Sequence, residues 1–412
     1  MTIYPRQKIY GYSFYRQLKN ILIKKKCNAI DFIKKNFELN EKYNINFVFK
    51  ARIGLFHILS FLFKNNKTKN KIILSSFTVF DMINMILLSG FEPIFIDHYK
   101  NSSQIDIVQL KKKISKFNEE IGAVLLTHYD VNNSELFEIS NICKQNKIIL
   151  IEDCAISIGS KFDNDFVGKF GDYSIFSFGF YKFINVLSGG MIFSKNKDFY
   201  NFVIEKEKNW EEVRIYNLYK LIIKSFFIRL ISSKIIFNLI FPIIKLAYKN
   251  DLRLIKKLLI NDPKPHRKEN FPKEYKYKLS QPQINDIIFQ FKDLEYQRKL
   301  REQNYRAYSE NIKNKKIVFF HNKKNLLNEN AYLNFPIMVK DKNKFINYML
   351  DNKIDINPQF YRSVNELPFL SKYSEATKLI QDSVSNLVTL PTYSGINKNY
   401  ILKIIKTINK YD

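Results

Sequence analysis

From about residue 47 to residue 195 the chain alternates short apolar runs with stretches of helical spacing, and that alternation limits the fold more than any other feature. The runs KIILSS, EPIFID, GAVLLTH, KIILIED, DYSIFSF and GGMIFS are rich in Ile, Leu and Phe, as strands buried on both faces are. Between them, GLFHILSFLFK, TVFDMINMILLSG, QIDIVQLKKKIS and SELFEISNICKQN repeat apolar residues at helical intervals. Gly90 stands where the second of these helices needs its C-terminal cap. Strands alternating with helices imply an α/β fold with a mostly parallel sheet covered by helices on both faces. Such sheets bind ligands at the carboxyl ends of their strands, so the chemistry is sought there.

A chain of 412 residues has room for two or three domains. Residues 1–205 are read as the large α/β domain. Residues 206–267 break the pattern and form a basic, apolar, helical insertion. Residues 268–412 are read as a smaller C-terminal α+β domain. That domain opens with one long amphipathic helix in KYKLSQPQINDIIFQFKDLEYQRKLREQNYRAYSENI and continues through KIVFF, YLNFPIMV, KNKFINYMLDN, VTLP and a final helix.

The formal charge is +28, from 67 Lys and Arg against 39 Asp and Glu. Because the lysines are spread along the chain with many Asn and Ile, the excess reflects composition more than a partner, except in the insertion. No recognisable nucleic-acid module or aromatic stacking platform accompanies the charge, so no nucleic-acid partner is expected. Three cysteines (Cys27, Cys143, Cys154) without a Cys-x-x-Cys pair fit a reducing compartment. The five histidines show no ligand spacing, and no metal is expected. MTIYPRQKIYGYSFYRQ lacks the apolar core of a signal peptide, which points to the cytoplasm.

Four kinds of group stand at the ends of the expected strands. Asp153 closes the apolar run LIED, where an ionised carboxylate is costly unless a cation faces it. Ser177 ends DYSIFS, and Lys182 follows five residues later, between aromatic residues and ahead of a Gly-Gly pair. The helix opened by FKARIGLFHIL offers the N–H groups of Arg52, Ile53 and Gly54 as an anion site. Taken singly, the aspartate is as readily a helix cap, the lysine a surface charge and the serine a turn residue. Together they are an anion cradle, a hydroxyl, a buried carboxylate and an amine. Pyridoxal 5'-phosphate needs that set: a lysine for its aldehyde, a cradle for its phosphate and a carboxylate to keep its ring nitrogen protonated. The lysine then also serves as the base that moves a proton between substrate and cofactor carbons.

The run IEDCAISIGSKFDNDFVGKFGDYSIFSFGFYKFINVLSGGMIFSKN resembles the central motif of the DegT/StrS-type sugar aminotransferases, with its Glu-Asp pair, Gly-rich segment, lysine turn and Gly-Gly strand. SSFTVFDMINMILLSGFEPIFID resembles the segment of that family beside the cofactor ring, YKYKLSQPQINDIIFQFKDLEYQRKLR its interdomain helix, and SNLVTLPTYSGINKNYILKII its closing helix. The likeness spans nearly the whole chain except the insertion. It implies a fold type I homodimer with active sites at the subunit interface. It also implies transfer of an amino group, usually from glutamate, to a keto-sugar nucleotide. On the matching positions, Lys182 would carry the cofactor, Asp153 face the ring nitrogen, and Ser177 bind the phosphate with the backbone of Arg52 and Ile53. Thr78 would lie beside the ring, and Val79, between Phe77 and Phe80, takes the place of a stacking aromatic. Family members that dehydrate sugars carry histidine in place of the lysine, so Lys182 argues against that reaction.

The chain also departs from the pattern. Ile156 stands where Gln or His is usual, Lys276 and Lys278 replace an Asn and an Arg, and Asp130 replaces a glycine. These changes leave open a second reading, a catalytically degenerate member acting as a membrane-docked binding or scaffold protein. Arg362, in QFYRSVNELPFL, is a candidate for substrate contact or for a structural ion pair.

Residues 213–250 carry seven Lys or Arg and no acidic residue. Their longest uncharged run, IIFNLIFPII, is far shorter than the roughly 20 apolar residues that span a bilayer. Pro242 is expected to kink or end a helix. An apolar run punctuated by Lys220, Lys224, Arg229 and Lys234 suits a helix lying on an anionic membrane surface, and equally a hairpin packed on the protein's own core or its dimer partner. The first of these readings opens the way to a lipid-linked keto-sugar and a peripheral position on the inner face of the membrane.

Overall fold

The computed structural model describes residues 2–8, 14–22, 28–129, 135–250, 252, 266–320, 330–358, 362–363, 367–373 and 378–412. Seven strands form the main sheet: β1 (Asn44–Val48), β2 (Lys71–Ser75), β3 (Glu92–Ile96), β4 (Ile121–Thr127), β5 (Ile149–Asp153), β6 (Tyr173–Ser177) and β7 (Gly190–Ser194). Their order is β1-β7-β6-β5-β4-β2-β3. The pairs from β6 to β3 are parallel, whereas β7 runs antiparallel to both β6 and β1. All six expected strands are present. β1 was not expected; its sequence, NINFV, carries two asparagines and offers little strand signal. Successive side chains along β2, β4 and β6 are nearly all buried, and because they alternate between faces, both faces are covered.

The helices of this region are α1 (Phe14–Leu22), α2 (Ala29–Asn36), α3 (Ala51–Asn65), α4 (Phe80–Leu88), α5 (Ile107–Phe117), α6 (Leu136–Gln145) and α7 (Lys197–Lys206). Gly90, at φ +90°, follows the last turn of α4, as its sequence position implied.

The expected long helix after residue 280 is two helices, α10 (Gln281–Phe291) and α11 (Leu294–Asn311); the numbers α8 and α9 belong to the insertion, Ile215–Ile231 and Lys234–Lys249. Each of α10 and α11 serves a different core. Ile287 and Phe291 of α10 pack into the core of the main sheet, together with Tyr275 and Leu279. Tyr305 and Tyr308 of α11 pack into a second core. α10 and α11 thus join different cores. The sheet of the second core is β8 (Val318–Phe319), β9 (Asn334–Met338), β10 (Asn357–Pro358) and β11 (Leu387–Pro391), antiparallel in the order β8-β9-β11-β10. Helices α12 (Lys342–Asp351), α13 (Lys378–Asn386) and α14 (Lys398–Asn409) complete it. Ile3 and Tyr4 also belong to the second core, so the first residues of the chain do not join the large unit.

The insertion straddles the two cores. Leu218 and Ile222 of α8 pack into the first, and Phe237, Phe241 and Ile244 of α9 into the second. Pro242 neither ends α9 nor prevents it from running to Lys249. The opposite faces are bare: Phe227, Ile235, Leu239, Ile243 and Leu246 are each more than half exposed. The two helices meet at 78°, and among the described residues no single helix is long and apolar enough to cross a membrane.

Candidate active site

The carboxyl edge of the sheet gathers the groups picked out from the sequence. Asp153 is the last residue of β5 and pairs in register with Thr127 at the end of β4. Ser177 ends β6 opposite Gly190, the first residue of β7. Gly190 is required sterically, because a Cβ there would lie 2.8 Å from both the nitrogen and the Cα of Ala51. That absence of a side chain lets the N-terminus of α3 settle beside the end of β6. A helix N-terminus and the Ser177 hydroxyl are thus brought to one place, which attracts anions.

Only part of the expected cradle is available. The Ile53 N–H donates to the Lys50 carbonyl at 3.0 Å, which leaves the earlier N–H groups of Ala51 and Arg52 for a ligand. The Arg52 side chain turns elsewhere, forming an ion pair with Asp81 and donating to the Tyr275 hydroxyl at 3.4 Å. Asp81 also accepts from Lys268 at 2.6 Å and from Tyr275 at 3.1 Å. Burial, and after it the charge of Arg52, push the neighbouring Lys50 amine down to about 8.

Asp153 is buried, and its Oδ1 accepts the Ala155 N–H at 3.0 Å. Burial raises its pKa, while that N–H and the positive charges of Lys182 and His128 pull it down. A carboxyl group in this balance becomes a firm carboxylate once a ring cation is set against it. The adjacent Glu152 acts on the backbone instead. Fully buried, it accepts N–H groups from Gly168 at 2.8 Å, Phe170 at 2.8 Å and Gly171 at 2.6 Å, and it bonds His128 Nε2 at 2.8 Å. Glu152 therefore clamps the glycine-rich segment beneath the site. Cys154 lies with His128 and Glu152 within 4.8 Å, but four bonds already occupy the Glu152 oxygens.

Lys182 sits in the loop between β6 and β7, where its N–H donates to Gly179 at 3.0 Å. A Cβ on Gly179 would be 3.9 Å from Ser177 Oγ and 4.0 Å from Lys182 Cγ, so the hydroxyl and the lysine flank the same turn. Two buried glutamines of α10 hold the loop. Gln290 accepts the Asn185 N–H at 2.9 Å and donates to the Asn185 carbonyl at 2.8 Å. Gln283 donates to the Val186 and Ser188 carbonyls, each at 3.0 Å. Within the loop Leu187 has a φ of +73°, a region that leucine seldom enters, and its N–H is fixed by Asn185 Oδ1 at 2.8 Å.

Lys182 lines a cleft whose walls come from both cores. Ile156 lines it, as do Phe77 and Tyr129, whose rings stack with centroids 4.7 Å apart. Thr78 is buried and pairs by backbone with Arg362, whose side chain lies outside the described residues, as does Asp130. Val79 caps α4, is 37% exposed and does not line the cleft. Phe77 and Tyr129 instead supply its aromatic wall. Lys278 donates to the Lys208 carbonyl at 3.1 Å, away from the cleft. Arg6, Lys8, Arg301 and Tyr393 also line the cleft and were not foreseen. They come from distant parts of the chain, and no local motif marks them.

The family model for the DegT/DnrJ/EryC1/StrS aminotransferase family matches residues 56–205 and 259–409, well over half of the chain, and passes over residues 206–258. Among curated proteins, the chain is 37% identical over 131 residues to a UDP-4-amino-4,6-dideoxy-N-acetyl-beta-L-altrosamine transaminase of Campylobacter jejuni, covering 32% of this chain and 35% of that protein. It is 30% identical over 132 residues to the GDP-perosamine synthase of Escherichia coli O157:H7, covering 32% of this chain and 35% of that protein. The matches thus span about a third of the length of these relatives. The fold is shared with Helicobacter pylori PseC, an aminotransferase involved in the biosynthesis of pseudoaminic acid, at a TM-score of 0.74, 16% identity and 98% coverage of both chains. It is shared equally with an E. coli GDP-4-keto-6-deoxy-D-mannose-3-dehydratase bearing hydrated PLP, at a TM-score of 0.71, 15% identity and coverage of 99% of this chain and all of the other.

Proposed function

The chain belongs to the DegT/DnrJ/EryC1/StrS aminotransferase family, and from that premise we propose that it is a pyridoxal-phosphate-dependent aminotransferase acting on a keto-sugar, with glutamate as donor. The observation that carries this reading is the meeting of Lys182, Asp153, Ser177 and the N-terminus of α3 at one edge of the sheet. These residues suit the cofactor: a buried carboxyl that gains from a cation stands near the amine, and a hydroxyl and a helix N-terminus stand ready for a dianion.

Bound there, pyridoxal phosphate supplies an aldehyde for amino-group exchange and a ring that accepts electrons when its nitrogen is protonated. Asp153, as a carboxylate, would keep that nitrogen protonated. Ser177 Oγ and the first N–H groups of α3 would bind the phosphate. Lys182 Nζ would be the group that takes and returns a proton at the reacting carbon. Glu152, Gln283 and Gln290 keep the two loops carrying these groups in place, and the Phe77–Tyr129 wall keeps water from one side. The same reading includes a homodimer and a cytoplasmic site of action, with surface polysaccharide as the destination of the amino sugar; the curated relatives named for nucleotide-linked amino sugars support it. It also includes contact of the α8–α9 outer face with an anionic membrane, supported by its exposed apolar residues and by the basic residues among them.

The test is direct. Purified protein mixed with the cofactor should develop a visible absorbance band that Lys182→Ala abolishes while the fold, followed by circular dichroism, stays intact. With glutamate and a panel of keto-sugar nucleotides, mass spectrometry should detect an aminated product. Protein that stays colourless at saturating cofactor would refute the enzymatic reading and favour the degenerate scaffold.

A further inference from the structure

Three neighbouring strands of the main sheet end in groups that bond one another. Ser75 closes β2, His98 stands two residues beyond β3, and Tyr129 two residues beyond β4. The His98 ring is buried, with Nδ1 3.1 Å from the Ser102 carbonyl and Nε2 bonded to Ser75 Oγ. A carbonyl oxygen only accepts, so Nδ1 carries the hydrogen and Nε2 accepts the Ser75 hydroxyl. Burial pushes the imidazole down to about 4, which keeps it in that neutral form. With its hydrogen committed to His98, Ser75 Oγ accepts the Phe77 N–H at 2.8 Å. The Phe77 carbonyl in turn accepts the Tyr129 hydroxyl. Every donor in this row points the same way, from Tyr129 through Phe77, Ser75 and His98 to Ser102.

The row ends on the wall of the cleft. Phe77, Tyr129 and Ser103, the residue after Ser102, all line it together with Lys182. The rings of Phe77 and Tyr129 stack with 30° between their planes, and the His98 ring meets Phe77 edge-on at 6.0 Å. Phe77 is 1% exposed and Tyr129 is half-buried, so Tyr129 presents the surface and Phe77 backs it. Phe320 meets Phe77 edge-on at 5.9 Å, and both belong to a small core with Met338, Val384 and Leu387. The wall is braced by hydrogen bonds from the main sheet and by apolar packing from the residues around β8, β9 and β11.

We infer that Ser75 and His98 are positioning residues for the acceptor: they hold the Tyr129 ring, backed by Phe77, as the platform on which the apolar face of the keto-sugar ring rests. This role rests on the keto-sugar reading above. A pyranose ring turns C–H bonds to its faces, and those slightly positive hydrogens suit the negative face of an aromatic ring. Among the described residues, the cleft wall includes Lys182 but neither Asp153 nor Ser177. The two rings therefore stand with the amine rather than with the groups proposed for the ring nitrogen and phosphate of the cofactor. A cleft that combines such an aromatic wall with a few fixed polar groups is suited to a small organic ligand.

The experiment titrates cofactor-saturated protein in a calorimeter with UDP-N-acetylglucosamine and GDP-mannose, and with UDP and GDP. Neither sugar carries a ketone, so binding is read without turnover. The ratio of a nucleotide's dissociation constant to that of its sugar nucleotide isolates the sugar. For the better-bound pair this ratio should fall about three- to tenfold in His98→Leu and in Tyr129→Phe, with binding of the bare nucleotide unchanged. His98→Gln, whose amide oxygen can accept the Ser75 hydroxyl, should restore it. Tyr129→Phe deletes one hydroxyl from a half-buried ring and keeps the test decisive should His98→Leu fold poorly. An unchanged ratio in both variants would overturn the inference, as would an equal loss for the bare nucleotide or no binding of either sugar nucleotide. Weaker uptake of pyridoxal phosphate at a constant ratio would assign the rings to the cofactor and overturn it too. Wild-type protein that takes up no cofactor would refute the aminotransferase reading alone, because the same titrations can be run on cofactor-free protein.

Discussion

Gln290→Leu tests whether α10 sets the position of Lys182. The glutamine amide makes three bonds: it accepts the Asn185 N–H at 2.9 Å, donates to the Asn185 carbonyl at 2.8 Å, and donates to Asp286 Oδ2 at 3.0 Å. Leucine fills nearly the same volume and makes none of them. Asp286 keeps Arg16 at 2.5 Å and Gln17 at 3.2 Å, so the larger loss falls on the backbone of Asn185. Asn185 is fully buried, and each peptide group left without a partner there costs roughly 1–3 kcal/mol. Allowing for relaxation, the sum is about 3 kcal/mol, which a stability of roughly 5–15 kcal/mol can absorb without unfolding. At about 2–4 °C per kcal/mol for a unit of this size, the melting temperature should fall by roughly 6–12 °C. The fluorescence of Trp210, the single tryptophan, follows that transition because the residue packs against the core of the main sheet. Because the loop also carries Lys182, kcat should fall while KM for the sugar changes little. A melting temperature within about one degree of wild type, with unchanged kcat, would show that the loop holds its own conformation without α10.

Three further outcomes follow from the same structure. Burial and Arg52 hold the Lys50 pKa at about 8, below its ordinary 10.5, so between those pH values the unfolded chain binds the extra proton and stability from this group rises with pH. Lys50→Met should therefore melt higher than wild type below pH 8, with the difference shrinking toward pH 10.5; a constant difference across that range in paired calorimetric scans would contradict the assignment. Glu152→Gln removes a charge that four donors share and turns an N–H₂ toward them, at a cost of about 3–5 kcal/mol, so it should lower the melting temperature more than Gln290→Leu does. Phe227→Asp with Leu239→Asp should abolish co-sedimentation with phosphatidylserine vesicles and leave melting unchanged, since both residues are more than half exposed; unaltered sedimentation would exclude the hairpin face as the membrane contact.

Much of the large unit was legible because its strands are short apolar runs bounded by turn residues, and period alone identifies those. Asp153, Ser177 and Lys182 were legible for a related reason: each stands at or just beyond the end of such a run, where a parallel sheet presents its ligand site. Which core each of the helices α10 and α11 serves was not. The segments containing Ile287 and Phe291 and containing Tyr305 and Tyr308 are both amphipathic, and a helical period does not say which of two cores an apolar face will meet. The cleft residues Arg6, Lys8 and Arg301 were hidden for the same reason at longer range. Arg301, for example, acquires its place by stacking 4.8 Å from the Phe183 ring and donating to the Leu333 carbonyl at 3.2 Å, contacts that only the tertiary fold creates.

Arg52 shows how a side chain and its own backbone can serve different ends. The sequence reading assigns Arg52 a role through its backbone N–H, and its guanidinium is drawn to Asp81, which also binds Lys268 and the Tyr275 hydroxyl. Lys50 stands beside this group, its Nζ 4.1 Å from the centroid of the Tyr275 ring. Arg52, Lys268 and Lys50 outnumber the carboxylates of Asp81 and Glu274 around them, which leaves the surroundings of the helix N-terminus positive. The attraction for a dianion then comes from the backbone of α3 and from that local excess, while Gly190 sets how closely the helix approaches Ser177. Variation at position 52 is compatible with the site for this reason. What the proposed cradle would require at that position is a peptide N–H, which every residue but proline supplies.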